Sequence, residues 1–128
     1  MHAHLKRTVL VVEDEEFCAA TLEIALDGLP GVAVKCLRTA EDALECLTRE
    51  SVSALVTDVH LPLMDGLELI ARVRREPALA RLPVVVISGD ADPRTPERAL
   101  SMGADAYFSK PYSPAEVRSK VEQLIHAA

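Results

Sequence analysis

The strongest constraint on the fold is a regular alternation between short β-branched runs and amphipathic segments. Three runs, at 9–12, 54–57 and 84–87, are continuous and apolar, which is typical of central parallel strands covered on both faces. Less uniform runs at 32–37 and 105–108 predict two edge strands. Between the runs, apolar side chains recur at helical spacing. Five strands alternating with five helices predict an α/β domain, with a parallel sheet and helices on both faces.

Capping residues indicate where four of these helices begin. Ser113 is followed directly by a proline and, three residues later, by a glutamate, which together form a strong helix start. Thr39 and Asp65 are each followed by an acid at the same spacing, and Thr95 precedes a proline. We therefore expect each of these four residues to cap a helix.

The length and composition limit the class of protein. The chain has 128 residues, and we predict a single domain over 1–128 with its core at about 8–126. Only 3% of the residues are aromatic, so the predicted core is aliphatic. The net charge of −6 argues against nucleic acid or an anionic membrane as a direct partner. Without a signal-peptide core or an apolar stretch of membrane-spanning length, the sequence predicts a cytoplasmic protein.

The cysteines and a cluster of arginines have structural interpretations. The cysteines show no metal-site spacing, and their number is odd, so we expect buried thiols in a reducing compartment. They are Cys18, Cys36 and Cys46. The arginines lie near the end of the third predicted helix, and we interpret them as an exposed helix end rather than a docking patch. They are Arg72, Arg74 and Arg75.

Chemically active side chains follow four of the five predicted strands. Glu13 and Asp14 come after the first strand, Asp58 after the third, Ser88 after the fourth and Lys110 after the fifth. In an open α/β sheet, ligands bind at the carboxyl ends of the strands. These residues share one pocket if the first, third and fourth strands are neighbours and the fifth lies outside the fourth. Periodicity alone does not choose that order.

Such a pocket would suit phosphoryl transfer. Several carboxylates held close together raise one another's pKa unless a cation neutralises them. Oxygen ligands with open positions suit Mg²⁺, which accepts phosphate oxygens. Lys110 would offset the charge of a phosphoryl group, and Ser88 would hydrogen-bond one of its oxygens. One carboxylate would then act as the nucleophile and form an acyl phosphate.

Four segments together resemble the receiver domain of bacterial response regulators. They are Glu13-Asp14, the run Asp58-Val59-His60-Leu61-Pro62-Leu63-Met64-Asp65-Gly66, Ile87-Ser88-Gly89 and Lys110-Pro111. The resemblance extends from about Thr8 to Ile125. It implies a flavodoxin-like five-stranded parallel sheet of order 2-1-3-4-5 with five helices. It also implies a stand-alone signalling switch, similar to the chemotaxis regulators, in place of an enzyme with an external substrate.

The resemblance implies a role for each residue of the pocket. Asp58 would accept a phosphoryl group from a phosphohistidine on a sensor histidine kinase or phosphotransfer protein. Asp14 would bind Mg²⁺ directly and Glu13 through water. Asp58 and the backbone carbonyl of His60 would complete the metal site. The side chain of His60, with Asp90, would line the access of the water that hydrolyses the acyl phosphate.

The resemblance also implies how the signal leaves the pocket. Ser88 would be the switch hydroxyl, and Lys110 would pair with the phosphoryl group through a loop whose Lys110–Pro111 bond is cis. Tyr107 would turn inward when Ser88 moves toward the phosphoryl group. A downstream protein would read the face formed by the fourth helix, fifth strand and fifth helix, and a homodimer through that face stays open.

Other interpretations stay open from the sequence. A Mg²⁺-dependent phosphatase with an aspartyl nucleophile needs an acid two residues after that nucleophile, where this chain has His60. A flavodoxin-like cofactor binder needs a phosphate-binding loop, whereas acids follow the first strand here. The chain could also be a receiver domain excised from a larger regulator or hybrid kinase. A degenerate receiver is disfavoured, because the acids, the hydroxyl and the lysine are all present.

Overall fold

Five strands alternate with five helices in the computed structural model, which describes residues 6–127. The strands are β1 (Arg7–Val12), β2 (Val32–Leu37), β3 (Ala54–Asp58), β4 (Val84–Ser88) and β5 (Ala106–Ser109). The helices are α1 (Glu16–Asp27), α2 (Ala40–Arg49), α3 (Gly66–Arg75), α4 (Thr95–Ser101) and α5 (Pro114–Ala127). A short 3₁₀ turn, Pro77–Leu79, follows α3. Every predicted strand and helix is confirmed.

The strands form one parallel sheet of order β2-β1-β3-β4-β5, which confirms the predicted flavodoxin-like topology. In the register, Val12 of β1 lies between Leu37 of β2 and Thr57 of β3. Ser88 of β4 lies opposite Ser109 of β5. The carboxyl ends of β1, β3, β4 and β5 therefore reach the same edge of the sheet, and the loops that follow them meet there.

Two aliphatic cores cover the two faces of the sheet. Successive side chains of a strand point to opposite faces, so Leu55 joins the core under α2, α3 and α4, whereas Val56 joins the core under α1 and α5. Leu10, Leu22 and Leu55 are fully buried. Each such burial contributes roughly 1.5–3 kcal/mol. The continuous apolar strands are thus explained by a sheet that is covered on both sides.

Three of the four predicted caps are confirmed, and one is wrong. The side chains of Thr39, Asp65 and Ser113 accept hydrogen bonds from the backbone N–H three residues later, at 3.1, 2.9 and 3.3 Å. Thr95 does not cap α4, because the cap position is occupied by Arg94 and Thr95 is the first residue of the helix. Thr95 is buried, and its backbone N–H donates to the Asp92 carbonyl at 3.1 Å.

Two further expectations need correction. Cys46 is buried as predicted, but Cys18 and Cys36 are only half-buried, because they lie on the first turn of α1 and on the edge strand β2. Arg74 does not belong to an exposed helix end, because its guanidinium is folded back onto backbone carbonyls. Within residues 6–127, no helix could span a membrane by length and apolarity. A cytoplasmic location stays a prediction.

Candidate functional site

Three acids from two strand ends meet at the carboxyl edge of the sheet. Oxygens of Glu13, Asp14 and Asp58 all lie within 4.8 Å of one another. Glu13 and Asp14 follow β1, and Asp58 is the last residue of β3, the neighbour of β1. The predicted meeting of these acids is thereby confirmed. It depends on strand order, because the loops after β1 and β3 would be separated if these two strands were not neighbours.

Two acids of the segment after β1, Glu13 and Glu15, have different roles. Glu15 caps α1, since its carboxylate accepts hydrogen bonds from the N–H groups of Phe17 and Cys18 at 3.1 and 2.7 Å. Glu13 turns inward and is 2% exposed, with the Glu15 N–H donating to its Oε2 at 3.1 Å. A helix-start role therefore explains Glu15 but not Glu13. Burial raises the pKa of Glu13 against the opposing effect of its hydrogen bond from Lys110.

The carboxylate of Asp58 is held from two sides and is 5% exposed. The N–H of His60 donates to Oδ1 at 3.3 Å, and Nζ of Lys110 donates to Oδ2 at 3.0 Å. The backbone behind it is also fixed, because the buried Thr57 hydroxyl donates to the Asp58 carbonyl oxygen at 2.9 Å. These hydrogen bonds fix both the carboxylate and the backbone of Asp58 at the start of the loop.

Gly66 is required by close packing behind Asp58. A Cβ built on Gly66 would overlap the Asp58 carbonyl oxygen and would lie 3.0 Å from the Cα of Val59. The N–H of Gly66 donates to the Val59 carbonyl at 2.8 Å, which closes the loop onto the first residue of α3. The reason for a glycine at this position therefore lies in a contact between two segments of chain.

Lys110 supplies the positive charge in the pocket. Its Nζ lies 3.0 Å from Glu13 Oε1 and 3.0 Å from Asp58 Oδ2, and its backbone N–H donates to the Ser88 carbonyl at 2.8 Å. Burial alone would lower the pKa of Lys110, but the hydrogen bonds to Glu13 and Asp58 outweigh burial and raise the pKa. The Lys110–Pro111 bond is cis, as predicted.

Ser88 and its loop form the side of the pocket opposite Glu13. Ser88 is fully buried, and its Oγ accepts a hydrogen bond from the N–H of Asp90 at 3.0 Å. Oδ2 of Asp90 lies 3.2 Å from Nε2 of His60, so a side-chain pair joins the loops after β3 and β4. The Asp92 backbone N–H, then the hydroxyl of Thr95, then the charge of His60 lower the pKa of Asp90.

Tyr107 lies on the same face of the sheet as Ser88. It is half-buried on β5 opposite Val86, and it packs against the core under α2, α3 and α4. Ser88 follows Val86 by two residues and therefore points to the same face. Tyr112, which the sequence did not single out, packs against the other core. Its position after Pro111 was the only signal that could have drawn attention to it, and burial raises its pKa to about 12.

The donor set of the pocket suits a divalent cation and a phosphoryl group. Three carboxylates face one lysine, so the charges are not balanced within the pocket. Carboxylate oxygens are the ligands that Mg²⁺ prefers, and Mg²⁺ usually keeps open positions for phosphate oxygens. Asp58 is the acid that contacts both the lysine and the loop after β3.

Comparison with known proteins identifies the family of the chain. The family model of the response regulator receiver domain matches residues 9–122. The alkaline phosphatase synthesis transcriptional regulatory protein PhoP of Bacillus subtilis is 30% identical over 121 residues, which are 94% of this chain and 49% of PhoP. The match to PhoP covers nearly all of this chain but only part of PhoP.

Two solved structures share the fold. A candidate response regulator from Chloroflexus aurantiacus J-10-fl superposes with a TM-score of 0.88 at 31% identity, covering 94% of this chain and 98% of that one. The receiver domain of the sensor histidine kinase PA1611 from Pseudomonas aeruginosa PAO1 has a TM-score of 0.84 at 25% identity, covering 94% of this chain and 98% of that one. That structure holds a magnesium ion in its active site cleft.

The match to larger relatives is confined to one part of them. The chain spans about half the length of three transcriptional regulators: 50% of GltR, 49% of PhoP and 52% of PhoB. The activities of those whole proteins therefore do not transfer to it. What the chain shares with each of them is sequence similarity over 120 to 122 residues. The chain belongs to the response regulator receiver domains of two-component signalling.

Proposed function

We propose that Asp58 is the phosphoacceptor of a signalling switch that takes a phosphoryl group from a phosphohistidine. The observation that carries this proposal is the position of Lys110 Nζ, 3.0 Å from both Asp58 and Glu13, with Asp14 completing the acid cluster. A lysine held against one carboxylate can compensate the charge that builds up on a phosphoryl group at that carboxylate. The donor would be a sensor histidine kinase or a phosphotransfer protein.

The proposed reaction is a substitution at phosphorus. A carboxylate oxygen of Asp58 supplies an electron pair, and an O–P bond forms while the P–N bond of the phosphohistidine breaks. The electron pair of the broken bond leaves with the imidazole nitrogen, which then takes a proton from solvent. Lys110 and the His60 N–H hold the Asp58 carboxylate in place for the attack. The product is an acyl phosphate.

The residues present fit a magnesium ion. Asp14, Asp58 and the backbone carbonyl of His60 would hold it, and Glu13 would contribute through water. A bound cation would neutralise the excess carboxylate charge and accept a phosphoryl oxygen as a ligand. The PA1611 receiver domain, which holds magnesium in its cleft, supports this assignment. No protein residue has to move far for it, because the three acids already lie within 4.8 Å.

The proposed output is a change in the face formed by α4, β5 and α5. The Ser88 hydroxyl could donate to a phosphoryl oxygen while Oγ keeps the bond from the Asp90 N–H. Tyr107, on the same face of the sheet, would follow the movement of that loop. A groove of about 490 Å³ on α4 lies away from the acids and is lined by Arg94, Glu97, Arg98, Ser101 and Met102. We propose that a downstream protein reads this face, and homodimerisation through it stays a prediction.

The lifetime of the acyl phosphate would depend on the His60–Asp90 pair. The imidazole is 66% exposed and lies at the mouth of the pocket, where the loops after β3 and β4 approach each other. A water molecule that hydrolyses the acyl phosphate must pass this mouth. The proposed function needs no other substrate, so the chain would act on nothing beyond its own phosphorylation and dephosphorylation.

Intact mass spectrometry tests the proposal directly. After incubation with acetyl phosphate and Mg²⁺, the wild-type chain should gain one labile phosphoryl group, and Asp58→Asn should gain none while keeping its fold. Asp65→Asn is the matched control, because Asp65 is the acid that caps α3 in the same loop and it should leave labelling intact. Labelling of Asp58→Asn to the wild-type level would overturn the site assignment.

A further inference from the structure

Arg74, near the end of α3, joins three separate segments of the chain. Its Nε and Nη2 donate to the Gly103 carbonyl at 3.1 and 2.7 Å, and its Nη1 donates to the Leu82 carbonyl at 2.7 Å. Longer bonds of 3.3 Å reach the carbonyls of Leu79 and Ala80. The side chain is only 21% exposed. Charged hydrogen bonds of this kind are stronger than neutral ones, so Arg74 holds the α4–β5 turn against the segment that leads into β4.

Gly103 and Asp105 both contact Arg74 closely. Gly103 has a φ of 116°, and a Cβ there would lie 2.8 Å from both Cγ and Nε of Arg74. Asp105 accepts hydrogen bonds from Arg74 Nη2 at 3.3 Å and from the Val84 N–H at 2.8 Å. The turn at the end of α4 therefore packs against the aliphatic part of the Arg74 side chain, and its carbonyl accepts hydrogen bonds from the Arg74 guanidinium.

The helix between the pocket and this turn is attached lightly along its length. Only Thr95 and Ala99 of α4 are buried, and Leu100 is 49% exposed. The first turn of α4 is linked to the pocket by hydrogen bonds through Asp92 and Asp90. The Thr95 N–H donates to the Asp92 carbonyl at 3.1 Å, the Asp92 N–H donates to Asp90 Oδ1 at 2.8 Å, and the Asp90 N–H donates to Ser88 Oγ at 3.0 Å. The two ends of α4 are thus held by different partners: the loop after Ser88 at one end and Arg74 at the other.

We infer that Arg74 is a positioning residue that anchors the C-terminal end of α4, so that the switch moves the helix by pivoting its N-terminal end. This inference rests on the proposed function, in which the loop after Ser88 responds to phosphorylation. A movement at Ser88 then reaches the face of α4 as a rotation about Gly103. Without the anchor, the same movement would displace the whole helix and the turn behind it.

Amide hydrogen exchange followed by mass spectrometry tests the anchor in the unphosphorylated chain. The reporters are the N–H groups of residues 102–105, all of which are hydrogen-bonded. In Arg74→Met, these amides should exchange roughly tenfold faster, because losing the charged hydrogen bonds to the Gly103 carbonyl frees the turn. Arg72→Met is the matched control, since Arg72 is exposed on the same helix and pairs only with Glu68 among the described residues. In Arg74→Lys, the exchange rate of these amides should lie between the rates in Arg74→Met and Arg72→Met.

A second arm adds beryllofluoride and Mg²⁺ as a stand-in for the phosphoryl group. In wild type, exchange should change at 90–98 and stay constant at 102–105. In Arg74→Met, both segments should respond. A role in stability alone would raise exchange across the whole chain and leave the pattern of the response unchanged. Arg74→Lys, which keeps the charge and most of the stem, provides the readout if Arg74→Met does not fold.

The outcomes separate the anchor from the proposed switch. Equal exchange at 102–105 in Arg74→Met and Arg72→Met would overturn the anchor, and so would a wild-type response at 102–105 as large as the response at 90–98. If wild type does not respond at all, the proposed switch is wrong, but the comparison without beryllofluoride still decides whether Arg74 anchors the turn.

Discussion

Nζ of Lys110 lies 3.0 Å from Oδ2 of Asp58, although the two residues are 52 positions apart in the chain. The same Nζ lies 3.0 Å from Oε1 of Glu13, 97 positions away. One ammonium group therefore links the ends of β1, β3 and β5. This arrangement explains why the acids can be buried together, because unpaired buried carboxylates would be costly.

Removing the ammonium group should destabilise the chain and make its stability depend on Mg²⁺. In Lys110→Ala, Glu13 and Asp58 lose their counter-ion, and we expect the free energy of unfolding to fall by about 1–3 kcal/mol. Mg²⁺ should recover part of this loss, and it should therefore stabilise Lys110→Ala more than it stabilises the wild-type chain. Urea unfolding with and without Mg²⁺ measures both effects. Labelling by acetyl phosphate should survive at a lower rate, because Lys110 no longer holds the Asp58 carboxylate, whereas the exchange response at 90–98 to beryllofluoride should be lost.

The control for Lys110→Ala is Lys120→Ala, which removes a lysine from α5 that lies away from the acids. If Lys110→Ala is as stable as Lys120→Ala at every Mg²⁺ concentration, the assigned role of Lys110 as the internal counter-ion is wrong.

A methyl group at Gly66 should disturb the nucleophile more than the fold as a whole. In Gly66→Ala, the new Cβ must push against the Asp58 carbonyl oxygen, because that atom occupies the space. We expect the rate of labelling by acetyl phosphate to fall at least tenfold and the free energy of unfolding to fall by about 1–3 kcal/mol. Gly28→Ala is the control, because a Cβ there meets its nearest atom at 3.4 Å. Similar labelling rates in the two variants would contradict this account.

The exposed imidazole at the mouth of the pocket should slow hydrolysis. In His60→Ala, the pair with Asp90 is lost and the mouth opens, so we expect the acyl phosphate to hydrolyse several-fold faster than in wild type. The decay of the labelled mass with time measures this rate. His126→Ala, which removes an exposed histidine from α5, should decay at the wild-type rate. Slower decay in His60→Ala would mean that the imidazole assists the water instead of obstructing it.

Tyr112 should make the chain sensitive to alkali. Burial raises the pKa of Tyr112 from 10.0 to about 12, so the folded chain favours the neutral phenol. The contribution of Tyr112 to stability is therefore fully present below pH 10 and is lost as the pH rises through about 12. In Tyr112→Phe, the free energy of unfolding should decline less between pH 9 and pH 11.5 than in wild type, as measured by urea unfolding. The Tyr107→Phe variant should keep the wild-type decline, and an equal decline in all three chains would exclude Tyr112 as the cause.

Most of the fold could be predicted from the sequence, because its signals are local. Continuous β-branched runs identify central strands, and a capping side chain three residues before an acid identifies a helix start. The predictions for Thr95 and Arg74 were wrong because both depend on more than the local pattern. Arg94 takes the cap position of α4 in place of Thr95, and the Arg74 guanidinium bonds to the carbonyl of Gly103, 29 positions away. Local patterns carry no information about such partners.

The candidate site divides in the same way. The sequence by itself determined that acids, a hydroxyl and a lysine follow the strands, and the resemblance to a family supplied their roles. Only the tertiary structure decided that Glu13 turns inward while Glu15 caps α1, that Gly66 makes room for the Asp58 carbonyl, and that Arg74 holds the turn after α4. The physical reason is that strand alternation and helix capping act between near neighbours in the chain. The spacing of charges in the pocket instead depends on which strands lie side by side, and that is settled by packing across the whole sheet.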